Sequence, residues 1–147
     1  MGVVVSDVTP RQRIELACEV HGEAAVAQAC VRLMTGEPPD QLMREVFGSQ
    51  HSPAWLEDPV NAYWLRVWGA RGLMWNWDVR AVPALRRSLD DPAWRVREMA
   101  VKVVARRLVD DLQPEVAGRQ HDPVLRVRTA ATRAVMRLAG AAGPGRT

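Results

Sequence analysis

The sequence predicts an all-α fold, a short right-handed α-solenoid of helical hairpins behind an N-terminal helical cap. Three observations carry this. First, two stretches match at an offset of 31 residues: Asp91-Pro92-Ala93-Trp94-Arg95-Val96-Arg97 and Asp122-Pro123-Val124-Leu125-Arg126-Val127-Arg128. The match continues through Ala100/Ala131, Lys102/Arg133, Val104/Val135 and Arg106/Arg137, and back to Pro83/Pro114. A period of this length belongs to stacked helical repeats. Second, Val96, Ala100, Val103 and Val104 share one helical face, as do Val127, Ala131, Ala134 and Val135. Each copy bares that face until a neighbour covers it, and the small central Ala lets helix axes approach. Third, helix start and stop signals punctuate the chain from Thr9 onward.

Taken in order, Thr9-Pro10-Arg11-Gln12 is a helix start, with Thr as N-cap, Pro at N1 and Gln at the capping-box position. That helix runs to Val20 and ends at Gly22. A second covers Glu23 to Met34 and stops at Gly36. Pro38-Pro39-Asp40 breaks the chain, and a short third helix carries Leu42, Met43, Val46 and Phe47 before Gly48. Residues 1–48 are thus the cap, with 1–8 frayed, and 49–59 a connecting loop. The repeat region spans 60–139, about two and a half copies. Its helices are expected over Val60–Trp75, over Val79–Leu89 behind an Asp78 N-cap, and from Asp91-Pro92 through Arg107. Asp111 caps a short helix containing Pro114 to Arg119, and Asp122-Pro123 opens the last helix, through Ala139. Residues 140–147 form a disordered tail, and the whole is expected to be one compact domain.

The repeating unit, a long helix, a turn and a shorter helix, resembles the HEAT repeat, in particular the short form named after phycobilisome lyases. The resemblance rests on Asp-Pro-x-x-Arg-Val-Arg at Asp91 and Asp122, on Ala100 and Ala131, and on Ala81 to Asp91. It covers roughly Val60 to Gly140. The first copy departs from the pattern, with Val60-Asn61 for Asp-Pro and Gly69 for Ala. An armadillo-like stack is the fold it implies, and binding of a partner the role, without naming one. The resemblance also implies that Asp91, Arg97, Asp122 and Arg128 form a structural ladder between adjacent repeats.

Bulk properties narrow the classes. No apolar run approaches the roughly 20 residues of a membrane span, and the opening residues lack the basic and apolar regions of a secretory signal. Two Cys do not make a disulfide scaffold, so a reduced cytoplasmic setting is expected. Nineteen Arg against one Lys point to a GC-rich bacterial coding bias. The net charge of +3 hides an asymmetry: residues 1–78 carry 6 basic and 10 acidic side chains, residues 79–147 carry 14 and 7. A basic half raises the question of an anionic partner.

Two surfaces are candidate binding sites. Arg95, Met99, Lys102 and Arg106 stand at i, i+4, i+7 and i+11, within about 60° of one another on the helix face opposite the apolar one. Arg126, Ala130, Arg133 and Arg137 repeat the arrangement, and the two rows make a ribbon suited to phosphates or to simple solvation. In the first copy the same places hold Trp64, Trp68, Arg71 and Trp75. Such a stripe is a stacking platform for bases, a slot for a partner's side chain, or a face buried by helices of residues 10–47. Trp55 pins the loop, and Trp77 and Trp94 lie near helix ends.

No catalytic, metal or cofactor site is expected. His21, His51 and His121 show no spaced metal motif, and Cys18 and Cys30 occupy apolar helix positions. Ser49, His51, Ser52 and Asp58 are turn formers without a nucleophile elbow. Asp58 and Asp78 are the acids nearest the indoles, a combination similar in kind to DNA-alkylation glycosylases built from HEAT-like repeats. The leading reading is a scaffold or binding module for another protein. The alternative is a nucleic-acid-binding module. Pairing of two copies through the C-terminal helix near Val135 and Leu138 is a further expectation.

Overall fold

The computed structural model describes residues 8–47 and 51–143, and every regular element among them is helical. The expectations for the first residues, Gly48, Ser49 and residues 144–147 lie outside the described residues. The chain divides into two compact units, Met1–Ala81 and Val82–Thr147.

In the first unit, α1 (Pro10–His21) opens on the expected capping box: Thr9 Oγ1 accepts from the Gln12 N–H, and Gln12 Oε1 accepts from the Thr9 N–H. Gly22, at φ 89°, ends α1 and leads straight into α2 (Glu23–Met34). No L side chain takes that conformation without strain, so the glycine sets the bend. After Pro38-Pro39, Asp40 Oδ1 accepts from the Met43 N–H and starts α3 (Gln41–Phe47). The stretch expected to be a loop carries α4 (Pro53–Glu57), because Ser52 caps it and Pro53 is preset for a first turn. Asp58 then accepts from the Val60 N–H and starts a 3₁₀ turn, Pro59–Asn61, ahead of α5 (Ala62–Gly72). The helix expected over Val60–Trp75 is therefore shorter.

The core of this unit is the packing of α5 on α2. Val26, Ala29, Cys30 and Leu33 face Leu65, Gly69, Ala70 and Leu73, all buried. A Cβ on Gly69 would lie 2.6 Å from the Cys30 carbonyl oxygen and 2.9 Å from Leu33 Cβ. Glycine stands there because an α2 backbone occupies the space a side chain would need. Past α5, the buried Asn76 donates from Nδ2 to the Glu23 carbonyl oxygen at 2.9 Å, tying the returning chain to the start of α2.

The second unit contains α6 (Val82–Ser88), α7 (Trp94–Arg107), α8 (Gln113–Gly118) and α9 (Leu125–Ala141). Val96, Ala100, Val103 and Val104 of α7 are wholly buried, as are Val127, Ala131 and Ala134 of α9. The two long helices run side by side in the same direction. Arg126 reaches Glu98 near their N-terminal ends, and Arg137 donates to the Ala105 carbonyl oxygen near their C-terminal ends. α7 closes on Leu108 in the left-handed region (φ 52°), where Val109 N–H bonds the Val104 carbonyl oxygen, a Schellman closure without its usual glycine.

Several boundaries differ from expectation. Asp91 and Asp122 do not cap the long helices, which begin three residues later at Trp94 and Leu125. Each carboxylate instead accepts from the N–H two residues on, Ala93 or Val124, forming a turn that precedes the helix. Asp111 lies within a 3₁₀ turn and caps nothing. Gly140 and Ala141, expected to begin the tail, extend α9.

Candidate functional site

Of the four residues expected to form a ladder, Arg97 on α7 and Asp122, just ahead of α9, meet. Arg97 Nε donates to Asp122 Oδ2 at 2.8 Å and Nη2 to Oδ1 at 3.1 Å, a bidentate pair. Its third nitrogen, Nη1, donates to the Asp91 and Pro92 carbonyl oxygens. Arg128 repeats the second arrangement on the Asp122 and Pro123 carbonyls. Each arginine thus holds its own Asp-Pro turn, and Arg97 also reaches forward to the next. Asp122 is buried and Arg97 nearly so. Burial alone would push the Asp122 carboxyl up. Hydrogen bonds from Arg97 and the Val124 N–H, with the charges of Arg97 and Arg119, together hold it below the ordinary carboxylate range.

On the opposite side of this unit, Arg95, Lys102, Arg106, Arg126, Arg133 and Arg137 are all exposed. They do not form the bare ribbon of cations the sequence suggested. Glu98 lies among them and accepts from Lys102 at 3.1 Å and Arg126 at 3.2 Å. Arg137 is held by the Ala105 carbonyl oxygen at 2.8 Å. Trp94 presents its ring to two guanidiniums, Arg95 at 4.4 Å and Arg126 at 5.3 Å from its centroid. Sequence reasoning placed Trp94 at a helix end and missed this clamp. The 31-residue offset of the two arginines on adjacent parallel helices was the available signal.

In the first unit, Trp64, Trp68, Arg71 and Trp75 are each half-buried, neither an open platform nor core. His51, Trp55 and Trp68 stack, with centroids 4.0, 5.1 and 5.6 Å apart and planes within 22° of parallel. Trp68 is therefore occupied in holding α4 and His51 against α5. Beyond it opens a narrow cleft lined by Pro10, Arg13, Phe47, Trp68, Arg71 and Trp75. Arg71 points into it beside Arg13. Desolvation, and then the Arg13 charge, lower the Arg71 pKa. Arg13 Nε is buried without a hydrogen-bond partner. Arg13 Nη2 makes a long contact of 3.5 Å to the Val8 carbonyl oxygen.

Removing one of two like charges that are partly taken out of water relieves the fold. Arg71→Leu is expected to raise the thermal midpoint of the first unit, a gain of about 1 kcal/mol. Melting followed by circular dichroism checks it. A lowered midpoint would mean the guanidinium is compensated within the chain.

A second concavity of the unit, about 230 Å³, is lined by Ala27, Gln28, Val31, Arg32, Asp78, Arg80 and Ala81. Its charges are satisfied internally: Asp78 holds Arg80, and Arg32 holds Glu37 and Asp40. The hydrogen bonds from Arg80 bring the Asp78 pKa to about 2. An acid so firmly ionised is no proton donor at neutral pH. Asp58, the other acid near the indoles, is engaged as a turn cap. Cys30 is buried, and its thiol is pushed up to about 12, chiefly by desolvation. Leu138, expected at a pairing surface, is buried, whereas Leu125 and Met136 are the large apolar side chains of α9 that are exposed.

No described helix is long and apolar enough to cross a membrane. Residues 81–106 match the family model of the HEAT repeat. No curated protein and no solved structure matches the chain.

Proposed function

We propose that this chain, which carries a HEAT repeat at residues 81–106, is a cytoplasmic binding or scaffold module for another protein. The observation that carries the reading is the repeat itself, since HEAT repeats commonly mediate protein–protein interaction. The state of the basic ribbon supports it against a polyanion. Glu98 takes up Lys102 and Arg126, and a backbone carbonyl holds Arg137, so the row is partly neutralised before any phosphate arrives. Proteins that grip nucleic acid through cations release counterions and weaken steeply with salt.

The nucleic-acid reading keeps one supporting observation. Arg106 and Arg133 are exposed and have no carboxylate partner among the described residues. Capture from native-host lysate decides between the two. A protein retained after nuclease treatment and in high salt is the expected result. Retention of nucleic acid that falls linearly with log salt, and is abolished by Arg106→Glu with Arg133→Glu, would replace the protein-binding reading.

A further inference from the structure

We propose that the cleft between α1, α3 and α5 is a carboxylate pocket, anchoring an acidic side chain from an apolar segment of the partner protein. This rests on the protein-binding reading and gives that partner its chemistry. Four other arginines of the same unit each hold a carboxylate: Arg11 on Glu15, Arg32 on Glu37 and Asp40, Arg44 on Glu57, and Arg80 on Asp78. Arg13 and Arg71 do not, among the described residues, although they share one cleft, where desolvation and then the Arg13 charge lower the Arg71 pKa. The first 78 residues carry more acids than bases, so carboxylates were available. Two guanidiniums facing the same space, one with a buried unsatisfied N–H, complement an anion.

The geometry of the cleft selects among anions. It is narrow, with about 20 Å³ open to water-sized groups, which suits a compact anionic head more than a stacked base. Trp68, Trp75 and Phe47 set apolar surface beside the two guanidiniums, which strengthens a charge-assisted bond and penalises an uncharged amide in the same place. The net negative charge of the surrounding unit opposes an extended polyanion while leaving a single carboxylate at the arginines favoured.

The rim indicates the rest of the ligand. Leu16 and Val20 follow Arg13 by three and seven positions on the same flank of α1, and they are 52% and 75% exposed. Large aliphatic side chains this exposed beside two arginines that hold no carboxylate among the described residues suit a segment with Leu-like residues flanking an acid.

The test uses the full chain on an array of immobilised peptides whose leucine-flanked central residue is Glu, Gln or phosphoserine. Retention by Glu peptides, about ten-fold or more above their Gln counterparts, is expected. Arg13→Gln and Arg71→Gln should each abolish that preference while keeping the helical spectrum, and Arg11→Gln should leave it intact. Equal retention of Gln peptides, preference for phosphoserine, or indifference to both cleft variants overturns the pocket. If Arg71→Gln still captures the protein recovered from lysate, binding stands and the pocket falls. If neither lysate nor array yields a ligand, both fall.

Discussion

Asp122→Ala is expected to cost the second unit about 3–5 kcal/mol, because it leaves the Arg97 guanidinium buried without its carboxylate. A unit of this size has total stability of the same order, so the variant should be largely unfolded at room temperature. Urea titration followed by circular dichroism, with hydrogen exchange over α7 and α9, measures the loss. The compensating test is Arg97→Met with Asp122→Leu, which removes both charges and should recover most of the stability. A loss no larger in the single variant than in the double would mean that the pair does not couple the helices. The same group sets an acid limit. Its folded pKa is depressed, so its contribution is complete above the unfolded value near ~3.9 and disappears as pH falls through the folded one. Asp122→Asn should remove this component of acid sensitivity.

Gly69→Ala is expected to be the most damaging single-methyl change in the first unit. The added carbon would lie 2.6 Å from a backbone oxygen of α2, which cannot swing aside as a side chain can. Separating α5 from α2 opens the core at Cys30, Leu33 and Leu65, at a cost of about 3 kcal/mol. Gly72→Ala provides the contrast. Its Cβ would meet Cys30 Sγ, also at 2.6 Å, and the Gly72→Ala, Cys30→Ala double variant should regain much of the lost stability. Thermal melts of the three variants check this. A Gly69→Ala protein as stable as the parent would show that the two helices are not held at this separation.

The repeat was readable because its signals are local and duplicated. Val96, Ala100, Val103 and Val104 fall on one stripe, the α9 equivalents repeat it, and burial follows the pattern closely. The Asp-Pro turns and their arginines were legible for the same reason, although the carboxylates form turns ahead of the helices and do not cap them. In the first unit, Gly69 in place of Ala is a departure from the repeat. Its purpose emerges only when the α2 backbone is set against it, which no local spacing reveals. The cleft was half legible. Arg71 stood out on the Trp stripe, but Arg13 lies 58 positions earlier on an unrelated helix, and nothing in either segment announces that they meet. Neutralisation of the basic ribbon by Glu98 was likewise missed, because Glu98 falls outside the positions that define the row.

The forward reach of Arg97 to Asp122 makes the array extensible. Arg128 already grips its own Asp-Pro turn through the same carbonyl contacts that Arg97 makes to the turn before it. Duplicating the 31 residues from Asp91 to His121 in tandem would give every internal guanidinium a carboxylate ahead of it, without altering a side chain. Such a chain can gain or lose whole modules by recombination at the Asp-Pro junction while each seam closes with the same latch.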